Sequence, residues 1–305
     1  MTAQAFRALY ERLRNRAARA AVDGRQGALF RLTPERVAAA AAEVRLGRTV
    51  SLAAPIETVR GPDDPDPAVH RMTGPGPDDA GSDALRFATD RFAMNVHGDA
   101  DSHLDALCHV LFDGELYGGV PASTVTPEGA RALSVDLLAD GVVGRGVLLD
   151  IPRLRGVRWL EPGDHVTLRD LTGAEAAQGV RAGPGDLLFV RTGHRLRRTE
   201  LGPWNAAEAR AGLHPSAVEF LADREVAVLG GDGNNDTAPG AVRDVAFPVH
   251  VLAIQAMGVH LMDYLSFEEL VPACAGAGRW SFLCVVAPLR LTGATGSPVN
   301  PIAVL

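Results

Sequence analysis

The sequence predicts an α/β fold built on a mixed β-sheet, and three observations carry that prediction. Short apolar runs bounded by turn residues recur at 146–151 (Gly-Val-Leu-Leu-Asp-Ile), 186–191 (Asp-Leu-Leu-Phe-Val-Arg), 226–230 and 280–287, as buried strands require. Segments with helical spacing fall among them, at 169–179, 215–224 and 249–258. No internal repeat and no linker interrupts the alternation, so a single α/β body is expected.

The N-terminal stretch 3–22 sets Phe6, Leu9, Tyr10, Leu13 and Ala17 at helical spacing, an amphipathic opening helix. Thr33-Pro34-Glu35 supplies an N-cap and a first-turn proline to a second helix over 36–43. Residues 1–45 therefore read as a helical extension and 46–305 as the main α/β domain. Residues 48–52 read as a strand, and 61–84, rich in Gly, Pro and Asp, as a long loop. A loop of that length inside a domain is more often functional than idle, and this one runs up to the chain's densest chemistry.

Composition narrows the field. The 305 residues are 47% hydrophobic, ample for a large core. A net charge of −7 and a pI near 5.7 argue against non-specific binding to nucleic acid or to an anionic membrane. All 30 basic residues are arginine, which excludes a P-loop lysine, a lysine Schiff base and a lysine general base. Acid–base work falls to His, Asp, Glu, Tyr or Cys. Cys108, Cys274 and Cys284 show no CxxC spacing, so neither a disulfide framework nor a cysteine zinc site is expected. With no secretory h-region and no apolar run near ~18 residues, the expectation is a soluble cytoplasmic protein. GxSxG and HExxH are absent.

Residues 97–109 read His-Gly-Asp-Ala-Asp-Ser-His-Leu-Asp-Ala-Leu-Cys-His. Buried ionisable groups cost free energy unless paired or bound to metal, and imidazole with carboxylate suits a divalent first-row ion. His103 and Asp105 share one side of an extended backbone, while Asp105 and His109 meet on one face of a helical turn. A strand passing into a helix near 104–106 would turn all three inward. Asp99 and Asp101 share the period-two register of His103 and would complete the shell. The bland alternative is a solvated aspartate loop with incidental histidines.

Elsewhere, Cys108 reads as a buried structural thiol and His260, among Val259, Leu261 and Met262, as a packed histidine. His194 follows a strand end, where it either contacts substrate or sits in a solvated loop. The run 230–236 (Gly-Gly-Asp-Gly-Asn-Asn-Asp) is either a tight turn or backbone lying close to a ligand. Trp159, Trp204, Phe247 and Trp280 either line an aromatic pocket or belong to the core. Arg191, Arg195, Arg197 and Arg198 either pair with a substrate carboxylate or lie on the surface.

The 97–109 segment resembles the signature of the cyclase family of metal-dependent hydrolases, typified by bacterial kynurenine formamidase and isatin hydrolase. That pattern is His-x-Gly-Thr-His-x-Asp-x-Pro-x-His, and Ser102-His103-Leu104-Asp105 with His109 fall in register. The likeness continues through 113–119 (Asp-Gly-Glu-Leu-Tyr-Gly-Gly), Pro248-Val249-His250, Asp263-Tyr264-Leu265, 287–291 and 296–299. The resemblance implies a swivelling β/β/α fold assembled as homodimers or homotetramers. It implies that His103, Asp105, His250 and Asp263 hold one or two divalent ions, and that His109 shuttles the proton.

Three departures qualify it: Asp99, Asp101 and Leu107 replace the pattern's first His, its Gly and its Pro. Losing an imidazole makes the site richer in oxygen, which shifts preference from zinc towards manganese or magnesium. His97 would substitute only if a strand slipped. With Asp99, Asp105 and Asp263 as ligands, one divalent ion leaves a charge of about −1 and two leave about +1. The expected activity is metal-dependent hydrolysis of a small amide, lactam or lactone, with a small-molecule substrate as the partner and Asp101, His97, His194 and Trp204 touching it. The alternatives are a cyclase or dehydratase in which His109 and Asp105 work without metal, and a degenerate binding protein.

Overall fold

The protein is described here from a computed structural model, which places residues 1–20, 26–74 and 85–305. Eleven strands matter to the site: β1 (Thr49–Ser51), β2 (Val69–Met72), β3 (Asp90–Ala93), β4 (His103–Asp105), β5 (Val142–Asp150), β6 (Leu187–Arg191), β7 (Val228–Gly231), β8 (His260–Asp263), β9 (Ser281–Val286), β10 (Gly296–Pro298) and β11 (Ile302–Val304). Nine of these form one mixed sheet in the order β1-β11-β9-β5-β6-β7-β8-β4-β10. Its centre, β5 through β8, is parallel, and both wings are antiparallel.

Three of the four parallel strands, β5, β6 and β7, are apolar runs read from the sequence; β8 is not among those runs, and the run at 280–287 is the antiparallel β9. β6 and β7 are buried at every residue, because helices cover both faces of a parallel sheet and leave no room for a polar side. Strand β9 alternates buried and half-buried instead, as an antiparallel strand with one face towards the core does. Gly146 in β5 lies under the Phe282 ring, where a Cβ would come within 2.3 Å of Cε2, so a side chain there would push β9 away.

Eight α-helices are present among the described residues: α1 (Ala3–Ala20), α2 (Pro34–Ala41), α3 (Ile151–Arg155), α4 (Leu168–Gln178), α5 (His194–Leu201), α6 (Val218–Arg224), α7 (Pro248–His250) and α8 (Leu270–Ala277). Local chemistry fixes their ends. Thr33 caps α2 through Arg36 N, ahead of a first-turn proline. Thr167 and Asp170 form a reciprocal capping box on α4, which stops at Gly179 with φ 62°. Phe6, Leu9, Tyr10 and Leu13 of α1 are buried in the same core as the sheet residues.

Four expectations change. The helix read over 249–258 is α7 followed by a π-helix, Val251–Ala256; a wider turn of this kind often marks a functional site. The helix at 215–224 begins as a 3-10 turn, Pro215–Ala217. The loop read over 61–84 contains β2, paired with β3; both strands are exposed along their length, so no apolar alternation announced them. Residues 75–84 of that loop, and 21–22 of the first helix, lie outside the described residues. Finally, β4 passes into a single turn, with His109 N donating to Ala106 O at 3.0 Å, and not into a helix.

Candidate active site

Asp105 is the centre of the site, and strand geometry puts it there. In the antiparallel pairing of β4 with β8, His103 faces Asp263 and Asp105 faces Leu261. Directly paired residues share a face, so His103, Asp105 and Asp263 project together while Leu104 and Met262 point the other way. Because β4 runs against the parallel strands, its first residue meets the carboxyl end of β8. Ligand sites of open α/β sheets gather at such ends.

Four imidazoles surround the Asp105 carboxylate. His97 Nδ1 lies 2.9 Å from Oδ1, His103 Nε2 3.7 Å and His109 Nε2 4.0 Å from the same oxygen. His250 Nε2 lies 3.4 Å from Oδ2 and 3.3 Å from Asp263 Oδ2. Oδ2 of Asp105 is buried with no hydrogen bond of good geometry. Ligand atoms of His103, Asp105 and Asp263 lie within 4.8 Å of one another, as do those of His97, Asp105 and His109.

Neighbouring groups fix how these side chains present themselves. His103 Nδ1 donates to Asp101 O at 2.8 Å, which leaves the Nε2 lone pair facing Asp105. His250 Nδ1 bonds Asp236 Oδ2 at 2.6 Å, and Asp236 also accepts from the backbone N–H groups of Val249 and His250. Asp263 accepts from Asn234 Nδ2 at 2.9 Å, from Asn235 N at 3.2 Å and from Asn235 Nδ2. A carboxylate or carbonyl behind each histidine, with its other nitrogen directed at acids, is the arrangement that orients metal ligands. Imidazole nitrogen with carboxylate oxygen, and an orphaned Asp105 oxygen in their midst, fits a divalent ion.

The electrostatics point the same way. Burial alone would raise the Asp105 carboxyl, yet His109, His250 and His97 hold it well below the usual carboxylate range. Burial opposes charge on His250, but Asp263, Asp105 and Asp236 outweigh it and raise the imidazole well above its ordinary value. A buried cation is therefore favoured at this spot. His109 is pressed down to about 4, chiefly by burial, so it is neutral near pH 7.

A pocket of about 630 Å³ opens onto this cluster, lined by His97, His103, His109, Asn234, His250 and Asp263 with an apolar wall that includes Phe112 and Phe247. His97 and His109 stack at its edge, their centroids 3.7 Å apart.

The structure brings together His97, His103, Asp105, His109, His250 and Asp263, all named from the sequence. Others fall elsewhere. Residues 94–102 form bends, not a strand, so the period-two register assigned to Asp99 and Asp101 does not hold. Asp101 Oδ1 accepts from Glu57 N at 2.8 Å, away from the cluster. Asp99 lines the pocket but takes the Tyr264 hydroxyl at 2.5 Å and is not among the gathered ligand atoms. Because the segment is bent, His97 reaches Asp105 with no slipped strand.

His194 is buried behind the site, packed on Trp204 and Tyr264, and Trp204 donates its indole N–H to Ala209 O. Neither lines the pocket, and of the four candidate aromatics Phe247 alone does. His260 is a core residue whose Nδ1 donates to Asp105 O. Sequence reasoning missed the roles of Asn234, Asn235, Asp236 and Tyr264. The available signal was an Asn-Asn-Asp run at the end of a parallel strand. Gly233 permits that turn, since a Cβ there would meet His194 Nδ1 at 2.9 Å.

Comparison with known proteins agrees with this picture. The family model described as "Putative cyclase" matches residues 31–235. A solved structure described as a novel cyclase is 33% identical, with a TM-score of 0.80 over 93% of this chain and 95% of that one. Isatin hydrolase A from Ralstonia solanacearum is 24% identical, with a TM-score of 0.59 over 89% and 97%. A structure described as a "predicted metal-dependent hydrolase" from Bacillus stearothermophilus is 19% identical, with a TM-score of 0.51 over 84% and 97%. No curated protein matches the chain. No helix among the described residues is long and apolar enough to cross a membrane.

Proposed function

The chain belongs to the cyclase family, and from that premise we propose that it is a metal-dependent hydrolase of a small amide, lactam or lactone. The observation that carries this reading is the buried Asp105 carboxylate, its Oδ2 without a well-formed hydrogen bond, set behind the four histidines that line the pocket. His103, Asp105, His250 and Asp263 would hold the ion, manganese or zinc by the donor set. Bound there, it would lower the pKa of a water and polarise a carbonyl.

The chain's own groups supply the rest. To hold an ion, Nε2 of His250 would have to be free of its proton; Asp236 bonds Nδ1 and keeps the ring in place. His109, neutral and on the pocket wall, accepts the water's proton at Nε2 and returns it to the leaving nitrogen or oxygen. His97 stacks on the His109 ring and restricts its rotation. Leu111, Phe112 and Phe247 keep bulk water from the acyl group.

The test measures metal content by mass spectrometry and turnover of a panel of small amides, lactams and lactones before and after chelation. Bound divalent metal, activity lost with a chelator and regained with manganese or zinc, is the expected result. Turnover that survives chelation but fails in His109→Ala would replace this reading with acid–base cyclase or dehydratase chemistry.

A further inference from the structure

The pocket has a charge character that the ligand cluster does not explain. Its outer wall is apolar, and at the mouth Leu111 is 52% and Phe247 46% exposed. Two carboxylates outside the ligand cluster, Asp99 and Asp244, line the same space. Among the described residues no arginine does.

Arg243, next to Asp244, is exposed but does not line the pocket, and the other cations around it are committed. Arg210 lies 3.9 Å from Asp99 but is buried, its Nε and one terminal nitrogen donating to Asp236 O and Ala206 O. Arg7 stands over the Phe112 ring and pairs with Asp113. The arginine cluster once a candidate for a substrate carboxylate is spent internally: Arg191 on Asp150 and Glu268, Arg195 on backbone carbonyls, Arg197 on Glu161, Arg198 on Glu57 and Asp63.

Asp99 is also held in place. The Tyr264 hydroxyl donates to its Oδ1, and Tyr264 sits at φ 56°, its carbonyl clasped by Ser102 Oγ and Arg195. A fixed carboxylate on a pocket wall pays no ordering cost when it meets a partner. One face of Phe247 already carries Arg210, its guanidinium carbon 5.3 Å from the ring centroid, so charge recognition falls to the two carboxylates.

Resting on the hydrolase reading, we propose that this pocket selects neutral or cationic acyl substrates with an apolar body, rejects those carrying a carboxylate, and reads that charge through Asp99 and Asp244. An anionic substituent entering the mouth meets two acids and, among the described residues, no arginine on the pocket wall, whereas a cation meets the same two acids. In a partly desolvated pocket that difference is large enough to order substrates.

The experiment uses three esters that differ only in a group insulated from the reacting carbonyl: benzyl acetate, and its para-carboxylate and para-trimethylammonium derivatives. The cationic ester should exceed the carboxylate ester about tenfold in kcat/KM at low salt, with the ratio shrinking as ionic strength rises. In Asp244→Asn, an exposed site where folding is not at stake, and in Asp99→Asn, the ratio should contract towards unity. Calorimetry adds an arm that needs no turnover: benzyltrimethylammonium should bind the purified protein about tenfold more tightly than benzyl alcohol. If none of the esters is hydrolysed, the panel of amides, lactams and lactones still decides the hydrolase reading, and the binding arm decides this one. A carboxylate ester processed as well as the cationic one, equal binding of the two probes, or a ratio unmoved in both variants would overturn the proposal.

Discussion

The two pairs of histidines around Asp105 occupy different environments. His103 and His250 are nearly sealed, with side chains 4% and 7% exposed, and each has Nδ1 pinned by an oxygen behind it. His97 and His109 are 25% and 29% exposed and stack on one another at the pocket wall. The first pair is oriented and shielded, as ligands need to be. The second has access to a substrate and, in His109, a neutral ring near pH 7. Exposure separates the pairs; the second ring nitrogen does not, because His97 Nε2 also meets an oxygen, Thr295 Oγ1, at 2.9 Å.

The strongest way to break this division is at the residue both pairs share. Asp105→Asn should remove bound metal and reduce turnover to background, read by mass spectrometry and steady-state kinetics. A variant that keeps both would refute the shared-centre view. Next, His109→Ala should lower kcat by roughly 10²- to 10⁴-fold while metal content holds. Loss of metal in that variant would move His109 into the ligand set.

Asp236→Asn sharpens the comparison by leaving every proposed ligand in place. Metal affinity should fall roughly 10- to 100-fold, because His250 loses the acid that orients it, and competition with a chromogenic chelator measures this.

The smallest effect is on stability. His194 is held down to about 3, mainly by burial and then by the neighbouring arginines. The unfolded chain therefore binds a proton there that the folded chain refuses. The penalty is absent above about pH 6.5 and grows as pH falls towards 3, by at most about 1.4 kcal/mol per unit. Urea midpoints of His194→Gln should fall less steeply than wild type across that window; parallel curves would show that His194 contributes nothing to acid sensitivity.

Much of the fold was legible because its signals are local. The runs at 146–151, 186–191 and 226–230 are strands since buried parallel strands must be apolar throughout, and the Thr33-Pro34 cap starts a helix where capping chemistry requires. The β2–β3 hairpin was not legible, because exposed strands carry no apolar period. In the site, His103, Asp105 and His109 could be grouped from spacing alone. Asp99 and Asp101 were misplaced because the spacing rule assumes extended backbone, and that segment bends.

What the sequence determined by itself was the inventory: which donors exist, that no lysine competes with them, and which lie within one turn or one strand of each other. The tertiary structure alone decided the pairing of β4 with β8, which sets His103 opposite Asp263 across 160 residues of chain. It also placed Asp236 behind His250 and sent Asp101 and His194 away from the pocket. The reason is physical. Spacing rules extend only as far as one regular element, whereas strand register and loop packing are set by burial of the whole core.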